Sequence, residues 1–186
     1  MSARFHAEAT SIPGLWLLHR QPLVDERGCF ERLFCADELR QWGHPGAVAQ
    51  ANHSLTRRKG TIRGIHFQHP PHAEVKVVSC LRGRVFDVIV DLRRGPGFLK
   101  WYGGELCAHD HQSLLIPPGC AHGFQALDND CEMLYFHSCP FVPDAEDGVR
   151  ADDPRLAIAW PLPIGERSIR DASHPLLAAN FAGFAP

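Results

Sequence analysis

The sequence predicts an all-β fold, a barrel or a sandwich, on the basis of three observations. First, 15 prolines and 16 glycines punctuate the 186 residues, and short apolar runs lie between them. Second, several of these runs alternate apolar and polar residues, as strands with a buried face do. Third, helical patterns are few and short. We therefore expect one domain, 1–186, whose C-terminal segment from about 160 to 186 packs on the barrel.

The predicted elements follow one another along the chain. "CADELRQWG", residues 35–43, predicts a short helix that ends at Gly43. The first predicted strand lies in "GTIRGIHFQ", residues 60–68. The later predicted strands are "EVKVVSCL" (74–81), "RVFDVIVDLR" (84–93), "QSLLIPPG" (112–119) and "CEMLYFHS" (131–138). "DASHPLLAAN", residues 171–180, predicts a second short helix.

Composition argues against several functional classes. A formal net charge of −2 gives no basic field for binding nucleic acid. No signal peptide is recognisable, and no stretch approaches the roughly 20 apolar residues that cross a bilayer. The seven cysteines are odd in number and never form C-x-x-C. This pattern predicts reduced thiols in a cytoplasmic protein rather than disulfides or a zinc knot.

The strand in residues 60–68 carries the most informative side chains. Side chains two residues apart share a face of a strand. One face therefore carries Ile62, Gly64, His66 and Gln68, and the other carries Arg63, Ile65 and Phe67. If the first face is inward, His66 and Gln68 point into a cavity in which Gly64 leaves room for a ligand. Cys131, Met133, Tyr135 and His137 share a face in the same way.

A metal site is the first possibility for these histidines. "IPPGCAHGF", residues 116–124, resembles the second signature of the cupin barrels, and "GIHFQHPPHAE" resembles the first. Metal-binding cupins have H-x-H in the first signature, whereas this chain has Gln68 at the second histidine position. An amide oxygen binds transition metals poorly compared with imidazole. The sequence therefore predicts a cavity without metal.

The combined motifs are similar to those of the dTDP-4-dehydrorhamnose 3,5-epimerases. The shared stretches, from about Val24 to Pro175, are "DERGCF", Q-x-N-x-S at residues 50–54, "GTIRGIHFQ", "RGRVFDVIVDLRRGP", "IPPGCAHGF" and "DDPRLAIAWPLP". The resemblance implies a metal-independent cupin-like jelly-roll barrel without a cofactor. It also implies a homodimer whose subunits exchange edge strands. The implied activity inverts stereocentres beside the ketone of a nucleotide-linked 4-keto-6-deoxyhexose.

The resemblance implies four catalytic residues, and the chemistry explains their types. His66 is the base, since an imidazole with a pKa near ~6.5 accepts protons at neutral pH. Asp171 orients this ring and stabilises its protonated form. Tyr135 donates a proton if nearby cations lower its pKa from about 10. Lys76 stabilises the negative charge of an enolate.

The same resemblance implies a set of substrate-binding residues. Arginines suit a diphosphate because the guanidinium binds it with two parallel hydrogen bonds. The set comprises Arg27, Gln50, Asn52, Arg63, His122, Phe141, Glu146 and Arg170.

Three positions depart from the family pattern, all on the nucleotide side. Phe141 stands where the family has a tyrosine that stacks on thymine, so stacking is retained without the hydroxyl. Arg32 replaces a glutamate, and Glu31, one place earlier in a strand, faces the other way. Arg170 replaces a lysine. A nucleotide other than dTDP therefore stays open.

Structural roles are the alternatives for individual residues. Lys76 follows Glu74 by two, so an exposed cross-strand ion pair is possible. The aspartates of residues 84–93 serve edges or turns, although Asp87 can support the site from behind. Five other histidines are expected at the solvated surface: His44, His53, His109, His111 and His174.

Two other functions remain open from the sequence. One is a sister enzyme that inverts a single carbon or moves the ketone within the sugar. The other is a non-catalytic protein that binds a sugar nucleotide.

Overall fold

The computed structural model describes residues 3–184, and thirteen strands and two short helices lie in that range. The first five strands are β1 (Phe5–Ala9), β2 (Trp16–Arg20), β3 (Leu23–Asp25), β4 (Gly28–Phe30) and β5 (Gln50–Thr56). The next four are β6 (Ile62–Gln68), β7 (Lys76–Arg82), β8 (Arg84–Asp91) and β9 (Trp101–Cys107). The last four are β10 (Gln112–Ile116), β11 (Cys120–Ala126), β12 (Cys131–His137) and β13 (Glu146–Gly148). The helices are α1 (Ala36–Leu39) and α2 (Ile169–Ser173).

Two antiparallel sheets form the body of the molecule. One has the strand order β1-β2-β10-β7-β12-β5, and the other β13-β6-β11-β8-β9. Inward side chains of both sheets meet in one apolar core, for example Val78 and Met133 from the first sheet and Ile89 and Phe124 from the second. This arrangement confirms the predicted all-β class.

Strand β8 is buried on both faces. Val85 and Ile89 lie in the core between the sheets, whereas Val88 and Val90 pack in a second cluster on the outer side of the strand. Aromatic side chains of the C-terminal segment, among them Phe181, complete this second cluster. A central strand with two covered faces explains why Phe86–Leu92 is apolar almost throughout.

The first predicted helix is confirmed. Helix α1 continues as a 3₁₀ turn, Arg40–Trp42, and ends at Gly43, whose φ of 98° suits glycine. The second begins two residues before the predicted 171–180 and ends seven residues before its predicted end. The Ser168 hydroxyl accepts a hydrogen bond from Asp171 N and caps α2 at this earlier start. Pro175 disfavours helical geometry at His174, and the helix ends at Ser173. Within residues 3–184, neither helix has the length or hydropathy that a membrane span requires.

A hairpin of β3 and β4 projects from this body as a separate two-stranded sheet. All six of its strand residues are exposed. Val24 and Phe30 are 74% and 73% exposed, which is unusual for apolar side chains of this size.

Candidate active site

A cavity of about 750 Å³ lies between the two sheets. Its walls come from β5, β6, β7, β11 and β12, the loop 139–146, and α2. Every predicted site residue except Arg27 lines it: His66, Lys76, Tyr135, Asp171, Gln50, Asn52, Arg63, His122, Phe141, Glu146 and Arg170. The fold therefore brings together residues that lie up to 121 positions apart in the chain (50 to 171).

A β-bulge in β6 places Arg63 and His66 on the same cavity. His122 of β11 pairs with His66, but Phe124 pairs with Arg63, so three steps along β6 match two along β11. Strict alternation predicted opposite faces for Arg63 and His66. That prediction was wrong, because the extra residue resets the alternation.

The β-bulge requires a glycine at position 64, and this glycine does not make space for a ligand. A Cβ at this position would lie 2.7 Å from the His122 carbonyl oxygen, and its φ of +101° strains any other residue. Gly123 faces it across the strands, where a Cβ would lie 2.7 Å from Arg63 O. The prediction that Gly64 leaves room for a ligand was therefore wrong, since the two backbones occupy that space.

His66 and Asp171 form a hydrogen-bonded pair in the cavity wall. The distance from His66 Nε2 to Asp171 Oδ1 is 2.8 Å, and Gly64 N donates to Oδ2 at 3.1 Å. Burial acts to raise the pKa of Asp171, but the hydrogen bond and charge of His66, with the bonds from Gly64 and Ser168, hold it at about 2. Since the ionised carboxylate accepts the Nε2 hydrogen, the lone pair of the neutral ring lies on Nδ1.

Tyr135 lines the same cavity from the opposite sheet. Its hydroxyl lies 3.2 Å from Ser54 Oγ, and its ring meets that of His122 edge-on at 6.1 Å between centroids. Burial raises the pKa of Tyr135, which Ser54 and the charge of Arg63 only partly offset. A nearby cation, Arg63, does act to lower this pKa, but burial outweighs it. The phenol is consequently protonated at neutral pH.

Lys76 lies at the buried end of the cavity, with its side chain 9% exposed. Its Nζ is 3.0 Å from Glu74 Oε1 and donates to the His66 carbonyl at 3.3 Å. Burial opposes ionisation of Glu74, but His137, Lys76 and Gln68 together hold its pKa at about 2. The ion pair considered as an alternative exists, but it is buried and faces the cavity rather than solvent.

His122 depends on a buried carboxylate behind it. Its Nε2 lies 2.9 and 3.0 Å from the two oxygens of Asp87, whose residue is 0% exposed. Burial raises the pKa of Asp87, while His122 acts against that shift. Its side chain points inward from β8, so the assignment to an edge or turn was wrong and the alternative, that Asp87 supports the site from behind, describes its position.

Both the oxygen and the nitrogen of the Gln68 side-chain amide form hydrogen bonds within the protein. Its Oε1 accepts from Val142 N at 2.7 Å, and its Nε2 donates to Glu74 and to the His72 carbonyl. The second histidine position of a metal-binding cupin is thus occupied by a group that fixes loops.

The outer part of the cavity carries exposed side chains, among them Asn52, Phe141 and Arg170. Gln50 Nε2 donates to Asn52 Oδ1 at 3.1 Å, and its Oε1 accepts from Phe141 N at 2.9 Å. Phe141 is 49% exposed, so one ring face is free to stack. Arg170 binds both oxygens of Glu146, and its Nη2 lies 3.2 Å from His66 Nε2.

Arg27 lies outside this cavity within a single chain. It stands at the turn of the β3–β4 hairpin, where it pairs with Asp25 and its side chain is 86% exposed. Its predicted role stays a prediction. Glu31 and Arg32 follow the end of β4 at Phe30 and so are not in a strand; Glu31 binds Arg20, and Arg32 binds Glu38.

Two histidines are wrongly predicted as solvated surface. His44 is 2% exposed and packs edge-on against Phe34. His174 lies beside the site, with its ring 6.3 Å from that of His66. Only tertiary packing reveals these positions, since neither residue lies in a periodic segment.

Sequence reasoning assigned no role to Ser54 or His137 and considered Glu74 only as the partner of Lys76 in an exposed ion pair, yet all three line the cavity. Ser54 shares a face of β5 with Asn52, and His137 shares a face of β12 with Tyr135. Glu74 lies two residues before Lys76, outside β7. The spacing of two was therefore the available signal.

Comparisons with known proteins show the family of this chain. The family described as dTDP-4-dehydrorhamnose 3,5-epimerase matches residues 9–179. The dTDP-4-dehydrorhamnose 3,5-epimerase of Mycolicibacterium smegmatis is 40% identical over 184 residues, 97% of this chain and 90% of the relative. The dTDP-4-dehydrorhamnose 3-epimerase of Streptomyces niveus is 39% identical over 178 residues, 94% of this chain and 86% of the relative.

A solved structure gives the same result. The dTDP-6-deoxy-D-glucose-3,5-epimerase of Legionella pneumophila, in complex with dTDP-4-keto-L-rhamnose, has a TM-score of 0.86 at 34% identity. The match covers 96% of this chain and 97% of that one. This likeness confirms the cupin-like barrel, and the chain belongs to the dTDP-4-dehydrorhamnose 3,5-epimerase family.

Proposed function

We propose that the protein epimerises a nucleotide-linked 4-keto-6-deoxyhexose at C3, C5 or both. The proposed conversion is dTDP-4-dehydro-6-deoxy-D-glucose to dTDP-4-dehydro-L-rhamnose. The observation that carries this proposal is that the His66–Asp171 pair and the Tyr135 phenol line one cavity. Relatives named for this reaction support it.

The reaction needs a base, a proton donor and a stabilised enolate. His66 removes the hydrogen from a carbon beside the ketone, and the negative charge spreads to the carbonyl oxygen. Asp171 stabilises the imidazolium that forms. Lys76 stabilises the charge on oxygen, and Tyr135 returns a proton to the opposite face of the carbon. The His66 imidazolium then releases its proton to solvent and Tyr135 takes one up from solvent, so both groups are regenerated and the cycle needs no cofactor and no net redox change.

The outer cavity suits the nucleotide. Arg63 and Arg170 offer guanidinium groups for the diphosphate, and Phe141 offers a ring for the base. Gln50, Asn52, His122 and Glu146 complete the proposed binding set in the same cavity.

Incubation with dTDP-4-keto-6-deoxyglucose in heavy water, followed by NMR of the sugar ring, tests the proposal. We expect deuterium at C3 and C5 and an inverted product. His66→Asn and Tyr135→Phe should abolish product, whereas His109→Asn, at an exposed histidine outside the cavity, should not. Normal ligand binding without any hydrogen exchange would instead indicate a non-catalytic binding protein. GDP- and CDP-linked sugars in parallel define the nucleotide.

A single-carbon epimerase is the second candidate, because the Streptomyces niveus relative is named a 3-epimerase. Deuterium at C3 alone would support this candidate over the double epimerase.

We further propose a homodimer in the cytoplasm. The exposed apolar residues of the β3–β4 hairpin, Val24 and Phe30, support contact with a second subunit. Such a contact would carry Arg27 to the neighbouring cavity. Light scattering tests the dimer, and an Arg27→Ala variant that binds substrate as tightly as wild type would contradict the role of Arg27. The free state of all seven cysteines supports a reducing compartment.

A further inference from the structure

We propose that His66, Asp171 and His174 form a binding site for zinc or a similar divalent ion, and that the bound ion inhibits the enzyme. Within residues 3–184, only these three residues form a group of histidine, cysteine or carboxylate ligand atoms within 4.8 Å of one another. Two imidazoles and one carboxylate are a ligand set that zinc accepts, and two of these residues, His66 and Asp171, line the cavity. The inhibition rests on the proposed function, whereas the binding does not.

His174 provides the independent observation. Its Nε2 is buried and has no hydrogen-bond partner, while its Nδ1 lies 3.5 Å from Asp147 Oδ1. A carboxylate behind the ring favours the hydrogen on Nδ1 and leaves the lone pair on Nε2, as in many metal-binding histidines. A buried acceptor without a donor is unfavourable, and a cation satisfies it.

The other two ligands are already held in place. His66 Nε2 and Asp171 Oδ1 are 2.8 Å apart, and Gly64 N fixes the second carboxylate oxygen. Zinc bonds of about 2.0–2.2 Å separate tetrahedral ligands by roughly 3.4 Å, so a movement of about 1 Å closes the set. The guanidinium of Arg170, 53% exposed and bound to Glu146, must turn away from His66.

The bound ion removes the base without a change of fold. A metal on His66 Nε2 displaces that hydrogen to Nδ1, so the neutral ring keeps one hydrogen. Nδ1 then has no lone pair with which to accept a proton from the sugar, and Asp171 is held by the ion. Epimerisation therefore stops while the ion is bound.

Titration of EDTA-treated, full-length protein with Co²⁺ and Zn²⁺ tests the site. Visible absorption reports cobalt ligation, and equilibrium dialysis counts zinc. We expect one ion per chain without thiolate-to-cobalt absorption. His174→Ala should weaken binding at least about tenfold, since even an outer partner of a metal ligand contributes about 10–100-fold. His109→Ala, at an exposed histidine outside the site, should bind as wild type does.

Deuterium exchange into the substrate gives the second readout. Zinc should inhibit wild type and His109→Ala, and EDTA should restore both. His174→Ala should keep its metal-free rate and resist zinc, and His174→Gln replaces it if the alanine variant does not fold. Equal binding by wild type and the His174 variants, or thiolate absorption, would overturn the site. If metal-free protein exchanges nothing, the epimerase proposal fails, and the cobalt titration still decides the metal site.

Discussion

Replacement of Lys76 by Met separates the catalytic role of this lysine from its structural role. The pKa of Glu74 is about 2 against an ordinary 4.5. That difference corresponds to roughly 3 kcal/mol of stability at neutral pH, to which Lys76 contributes with His137 and Gln68. Breaking a buried pair by removal of one partner typically costs about 3–5 kcal/mol. We therefore expect Lys76→Met to lower the free energy of unfolding by about 3 kcal/mol and the exchange rate by about 10²–10³.

The double variant Glu74→Gln/Lys76→Met supplies the control. It removes the unpaired carboxylate, so most of the stability should return, while the enolate still lacks a cation. Urea unfolding measures the stability, and deuterium exchange into the substrate measures the chemistry. A double variant that recovers the wild-type exchange rate would show that Lys76 acts only through its ion pair, and would refute this reasoning.

Three further predictions concern the proton-transfer groups and the buried acids. Tyr135→Phe should still place solvent deuterium on the substrate but form no inverted product; NMR that finds product at the wild-type rate would contradict the donor role. Asp171→Asn should lower kcat by about 10³–10⁴, because the His66 ring loses its orienting carboxylate. An unchanged kcat in steady-state kinetics would exclude a catalytic role for the His66–Asp171 pair. The depressed pKa values of Asp171 and Glu74 stabilise the fold fully above about pH 4.5 and lose effect as pH falls toward 2. Urea midpoints should fall over that range and fall less in Glu74→Gln, and a flat wild-type curve would argue against both shifts.

The regular strands and their faces could be predicted from the sequence. The alternation grouped Lys76, Val78 and Cys80 on one face of β7, and Met133 and Tyr135 on one face of β12. In the structure both groups lie on the inward face of the same sheet. Period-2 patterns carry this information because successive side chains must point to opposite faces.

Departures from regular geometry could not be predicted in this way. The bulge that joins Arg63 and His66 depends on the pairing of β6 with β11, and only the facing glycines Gly64 and Gly123 mark it in the sequence. The burial of Asp87 depends on which face of β8 is inward, and both faces of that strand are apolar. Arg27 lies on an exposed hairpin, and its proposed contact with a cavity depends on a second subunit rather than on the fold of one chain.

The rate of deuterium exchange into dTDP-4-keto-6-deoxyglucose in a His66→Asn variant tests the central claim most directly. The asparagine cannot accept the proton, so exchange at C3 and C5 should fall by about 10²–10⁴, while binding of the nucleotide sugar persists. Exchange at the wild-type rate would contradict the account, because some other group would then remove the hydrogen.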